Sequence, residues 1–122
     1  RPLGPLDSTS EINGAALETL VFQELYALND YHDWGIDIHF FRTTNGEEID
    51  FILYGEKGFI AIEVKASSYY KNEYIKTLKM FLSDYPMAKG LLLYMGDREF
   101  REGNIFITPV NKFLMNSENY LF

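Results

Sequence analysis

Three polar residues interrupt two apolar runs in the middle of this chain. Residues 47–54 read Glu-Glu-Ile-Asp-Phe-Ile-Leu-Tyr, and residues 59–67 read Phe-Ile-Ala-Ile-Glu-Val-Lys-Ala-Ser. The interruptions are Asp50, Glu63 and Lys65. Side chains on a strand alternate faces, so Glu63 and Lys65 share one face and Ile60, Ile62 and Val64 the other. A strand buried on both faces is apolar at nearly every position. A carboxylate and an amine placed there cost several kcal/mol unless they are paired or bind a metal. A short turn over 55–58 folds the chain back and brings Asp50 close to Glu63. Two carboxylates on neighbouring strands offer a hard-oxygen site for Mg²⁺ or Mn²⁺. A lysine beside them adds a fixed positive charge or an acid/base partner. The competing reading is an exposed Glu63–Lys65 pair on an edge strand, worth little energetically.

These residues need elements to position them. Residues 1–12 carry two Pro, a Gly and Ser-Thr-Ser and read as a linker. Asn13 is placed to cap a helix running to about Leu28, with Leu17, Leu20, Val21, Leu25 and Leu28 as its apolar stripe. Glu18 flanks that stripe and Glu24 lies within it, and periodicity does not choose between them. After a polar loop over 29–35, strands are expected over 36–43, 47–54 and 59–65. Asn45-Gly46 forms the first hairpin turn, with Ile49, Phe51 and Leu53 on one face and Glu48, Asp50 and Ile52 on the other. A helix over 70–84 ends before Pro86. A strand over 91–94, a charged loop over 96–103 and a strand over 104–108 follow. Pro109 then opens a closing helix through Met115. A three-strand meander followed by a helical crossover gives an α/β domain with a mixed central sheet flanked by helices.

Composition narrows the chemistry. At 122 residues, with 47% apolar and 16% aromatic residues, the chain forms one domain rather than a disordered segment. It has no cysteine, which leaves oxygen and imidazole as metal ligands. No apolar run is long enough to span a membrane, and no signal-peptide pattern is visible. A cytoplasmic location is expected, and the start at Arg1 suggests a piece of a longer protein. The net charge of −7 disfavours tight nucleic-acid binding. That charge is uneven: residues 1–64 hold 12 acids and 3 bases, residues 65–122 hold 6 acids and 8 bases. Lys71, Lys76 and Lys79, interleaved with Tyr69 and Tyr70, make the one basic aromatic stretch that could contact DNA. The same stretch also reads as an ordinary solvated helix face.

The order of a helix, strands bearing Asp and Glu-x-Lys, a helix and further strands resembles the PD-(D/E)xK nuclease fold. More closely, the chain resembles the nuclease-like C-terminal domain that follows an AAA-type ATPase module in many bacterial and archaeal proteins. The carriers are Gly14-Ala-Ala-Leu-Glu18-Thr-Leu-Val-Phe-Gln-Glu-Leu25, Phe41-Arg42-Thr43, Gly46-Glu-Glu-Ile-Asp-Phe51, Ile60-Ala-Ile-Glu-Val-Lys-Ala-Ser67 and Ile107-Thr-Pro-Val-Asn-Lys-Phe-Leu114. The resemblance spans about residues 14–115.

That resemblance implies a restriction-endonuclease-like α-β-β-β-α-β core over 13–122 and metal-dependent phosphodiester hydrolysis of DNA. It implies a helix carboxylate at Glu18, metal ligands at Asp50 and Glu63, and a catalytic lysine at Lys65. The Val64 carbonyl would be a third ligand to Mg²⁺ or Mn²⁺, and Arg42 and Glu48 would be supporting residues. The implied partners are DNA, bound weakly by this piece alone, and an ATPase module in the same parent chain. No membrane is implied, and a homo-oligomer is left open. The alternative is a non-catalytic interaction domain that keeps the nuclease fold and regulates the ATPase.

Overall fold

The computed structural model describes residues 9–122, with side chains described from residue 13 onward. Helix α1 spans Thr9–His32. It therefore takes in residues 9–12, expected to be linker, and Asn13 lies inside it rather than capping it; residues 1–8 of that expected linker lie outside the described residues. Val21 and Leu25 are its buried anchors, with Leu17, Phe22 and Leu28 packed around them. Leu20, expected in the stripe, is exposed.

The helix also runs one turn past the expected end. His32 stacks on Trp34 with ring centroids 4.8 Å apart, and its Nε2 lies 2.8 Å from Glu118 Oε1, so a distant segment holds the last turn. Asp33 then enters the left-handed region (φ 53°), which Asp tolerates better than most residues. Asn29 ties the helix to the first strand. Its side chain accepts from the Ile36 N–H at 3.0 Å and donates to the Ile36 carbonyl at 2.8 Å.

Six strands form one sheet in the order β1-β2-β3-β4-β6-β5. They are β1 (Asp37–Arg42), β2 (Glu48–Gly55), β3 (Gly58–Lys65), β4 (Lys89–Tyr94), β5 (Phe100–Glu102) and β6 (Ile105–Pro109). β1, β2 and β3 form an antiparallel meander. A 3₁₀ turn (Asn72–Ile75) and helix α2 (Lys76–Asp84) then carry the chain over to β4, which is parallel to β3. β6 is parallel to β4, and β5 folds back on β6 through Gly103 (φ 58°). The sequence α1-β1-β2-β3-α2-β4 is the expected α-β-β-β-α-β core, an α/β fold with a mixed sheet. Strand β5 was expected to be loop; at three residues it is too short to show alternation. Helices α3 (Val110–Met115) and α4 (Ser117–Leu121) close the chain, the second of them unforeseen.

Each face of the sheet has its own core. On one, Phe51, Leu53, Ile60, Ile62, Leu91 and Leu93 pack beneath α1, α3 and α4. On the other, Ile49, Ile52, Ala61, Leu92 and Ile107 pack beneath Leu78 and Phe81 of α2. The expected face assignment in β2 therefore fails at one point, because Ile49 sits with Ile52 and not with Phe51. The register explains this. His39 pairs with Ile52 and Phe41 with Ile49, which leaves one residue on β1, Phe40, against two on β2, Asp50 and Phe51. That extra residue is a β-bulge at Asp50–Phe51, which locally resets the alternation.

Candidate active site

The bulge lies where the β2–β3 ladder ends. Pairing runs from Gly55↔Gly58 to Phe51↔Ile62 and goes no further. At the next position the side chains replace the backbone bonds. Glu63 Oε1 accepts from the Asp50 N–H at 2.8 Å, and Asp50 Oδ2 accepts from the Val64 N–H at 2.7 Å. Each strand thus offers a carboxylate to the amide of the other, and the two acids fill the gap left by the diverging strands. Buried amides require such partners.

Glu63 is 6% exposed, and β3 lies between β2 and β4. An exposed pair on an edge strand is therefore ruled out. Glu63 alternates with Ile62 and Val64, which pack on the α1 side. Lys65 Nζ lies 3.8 Å from Glu63 Oε2 and 5.6 Å from the centroid of the Tyr74 ring, which packs on the α2 side. From the α1 side, Glu18 lies close enough to Asp50 to raise its proton affinity through charge and hydrogen bonding. Glu24, the other candidate on the helix, instead accepts from the buried Ser117 Oγ at 3.2 Å, a structural bond to α4. Packing thus makes the choice that periodicity leaves open.

The electrostatics follow from this crowding. Burial, and then the neighbouring charges of Glu63 and Glu18, push the Asp50 carboxyl far above the usual carboxylate range. Burial also raises Glu63, while the Lys65 ammonium and the Asp50 N–H pull it back part of the way. Two carboxylates that cannot comfortably both ionise hold either a shared proton or a cation. The donor set is all oxygen, which suits Mg²⁺ or Mn²⁺. Among the described residues, no three Asp, Glu or His side chains converge as a complete cage. A bound ion would therefore need backbone and water ligands as well.

A cavity of about 580 Å³ opens beside Asp50. Gly14, Ala15 and Glu18 of α1 form one wall, and Phe40, Arg42 and Glu48 of the β1–β2 hairpin another. Arg42 and Glu48 are ion-paired at its rim. The space is open at the α1 wall, where a Cβ built on Gly14 meets nothing within 4 Å. Phe40, 71% exposed, was not foreseen as a site residue. No local sequence signal singles it out, because its place opposite the bulge is set by the register of β1 on β2.

The basic stretch is less available than expected. Lys79 Nζ lies 3.7 Å from Glu102 Oε1, and the Tyr70 hydroxyl donates to Glu102 Oε2 at 3.1 Å while its ring packs edge-on against Phe100. Lys71 lies 4.0 Å from Glu73. Lys76 is exposed, as is Tyr69, and no ion pair to Lys76 occurs among the described residues.

A family model described as Domain of unknown function (DUF4143) matches residues 13–113. The chain belongs to this family. The match begins within α1, takes in all six strands, and contains Glu18, Asp50, Glu63 and Lys65. No curated protein and no solved structure matches the chain. Among the described residues, no helix of this DUF4143 domain is long and apolar enough to cross a membrane.

Proposed function

We propose that this domain is a Mg²⁺- or Mn²⁺-dependent nuclease acting on DNA, accessory to an ATPase module in its parent chain. The observation that supports this reading is the pairing of buried Glu63 with half-buried Asp50 in the gap between β2 and β3, with Lys65 beside them. Asp50, Glu63 and the Val64 carbonyl would hold the ion, and Glu18 would hold a water beside it. When bound, the metal would supply Lewis-acid stabilisation of the phosphate and a more acidic water. The protein's own part is positioning. Glu63 and the Tyr74 ring fix the Lys65 ammonium on the α2 side of the carboxylates. There it stabilises negative charge developing on the phosphate or orients the attacking water. The cavity lined by Gly14 and Phe40 gives an extended strand access to Asp50.

One observation favours a second reading, a non-catalytic domain that regulates the ATPase. Both carboxylates already satisfy backbone amides, so they hold the sheet together even with no reaction to perform. The net charge of −7 points the same way.

Cleavage of linear and branched DNA by the wild type and Lys65→Ala, with Mn²⁺ or EDTA, separates the two. A nuclease needs Mn²⁺, and Lys65→Ala slows it by about 10²–10³ while leaving the circular dichroism spectrum unchanged. Cleavage in EDTA, or at the wild-type rate without Lys65, defeats the proposed site. Binding of Mn²⁺ without any cleavage supports the regulatory reading.

A further inference from the structure

Four cations of this chain, Arg42, Lys65, Lys71 and Lys79, each lie within 4.0 Å of a glutamate. Lys89 and Arg101 instead line one cavity together. Lys89 opens β4 on the face that carries Leu91 and Leu93. Arg101, on β5, pairs directly with Phe106 of β6, which pairs in turn with Leu91, so both cations reach the same face. Among the described residues, no carboxylate lies within 4.0 Å of either. Burial first, and then the Arg101 charge, lower the Lys89 pKa.

Between these two cations lies a cavity of about 280 Å³, lined also by Asn104, Asn119, Phe106 and Tyr120. It is a built concavity. Asn104 anchors the β5–β6 turn by donating to the Ala88 carbonyl at 2.6 Å, and the Gly90 N–H donates to the Asn104 carbonyl at 2.9 Å. Tyr120 is held from outside by its hydroxyl, which donates to Glu99 Oε2 at 2.7 Å. The volume falls just under the roughly 300 Å³ at which cavities begin to enclose drug-sized ligands, so the occupant is small. The two cations, the Asn119 amide and the Asn104 amide proton not used by Ala88 are suitable donors to a tetrahedral oxyanion, and Arg is the side chain best shaped for phosphate.

We propose that this pocket binds a phosphate dianion, either inorganic phosphate or the terminal group of a small phosphate monoester. The carboxylate pair lies further along the sheet. Lys89 pairs with Ile60, and Glu63 pairs with Leu92, three residues on, about 10 Å along the strand at ~3.3 Å per residue, with its side chain on the opposite face. The proposal therefore does not depend on the nuclease reading.

The test is titration of the 122-residue chain with inorganic phosphate, adenosine monophosphate and adenosine, followed by calorimetry and by the amide NMR spectrum. Expected are saturable phosphate binding and shifts confined to the neighbourhood of Lys89, Arg101, Asn104 and Asn119. Tighter binding of adenosine monophosphate than of phosphate, with none of adenosine, identifies the ligand as a monoester. Equal binding of the two identifies it as the free ion. Arg101→Gln and Lys89→Gln should each weaken binding about ten- to a hundredfold, as expected for losing a charge-assisted hydrogen bond. Both variants should melt no lower than the wild type without ligand, because they relieve a repulsion. Lys57→Gln, in the β2–β3 turn, should bind as the wild type does. No saturable binding overturns the proposal, and so does equal loss in Lys57→Gln, or full binding by Arg101→Gln.

Discussion

Asp50→Asn should make the metal-free protein more stable at neutral pH, and the gain should grow with pH. The asparagine carbonyl still accepts the Val64 N–H that Asp50 Oδ2 accepts at 2.7 Å, so the bond across the strand gap survives. What disappears is a titrating carboxyl. Its pKa is pushed from 3.8 in the unfolded chain up to about 8 in the fold, first by burial and then by the charge of Glu63. A group raised on folding favours the native state fully below its unfolded value, and that contribution is lost as pH climbs through the folded value. Between pH 5 and 7 the native wild type keeps a proton that the unfolded chain has released. Stability then falls by about 1.4 kcal/mol per pH unit, or about 3 kcal/mol over that window. Asp50 and Glu63 share this behaviour, so Asp50→Asn should remove up to one proton's worth of the slope. Urea unfolding in EDTA at half-unit pH steps, run on both proteins, measures the difference directly. Parallel curves for the two proteins, or a wild type that gains stability relative to Asp50→Asn as pH rises, would refute the reasoning.

DNA binding by this chain should be weak and steeply salt-dependent, because few lysines are free to displace counter-ions. Lys76→Gln should weaken it more than Lys79→Gln, whose ammonium is already engaged by Glu102, as fluorescence anisotropy at several salt concentrations would show. Phe113→Ala should cost about 3–5 kcal/mol in chemical denaturation, since this ring is fully buried where α3 meets the sheet. Gly46→Ala should cost about 1 kcal/mol or more by the same measurement. Its φ of 84° admits no side chain without strain, although nothing crowds the added methyl.

Much of the site was legible because it depends on local pattern. A hairpin between two apolar strands leaves Asp50 and Glu63 little choice but to meet, and Glu63 and Lys65 share a face through the two-residue period alone. The order of the core elements was legible for the same reason, since hydrophobic period, Asn45-Gly46 and Pro86 mark elements and their ends with nearby residues only. What the tertiary structure decided are contacts between residues far apart in the chain. Periodicity could not tell Glu18 from Glu24, and in the fold Ser117, 93 residues from Glu24, takes the latter. The end of α1 depends on Glu118, and β5 exists because β6 and Tyr70 give it a ladder and a ring to pack against. The bulge at Asp50 arises from the mismatch between β1 and β2, which neither strand shows alone. The Lys89–Arg101 pocket likewise joins two strands that only the fold brings to one face. Propensity and periodicity act over a few residues, while ladder register, burial and the pairing of charges are settled only when distant segments close on one another.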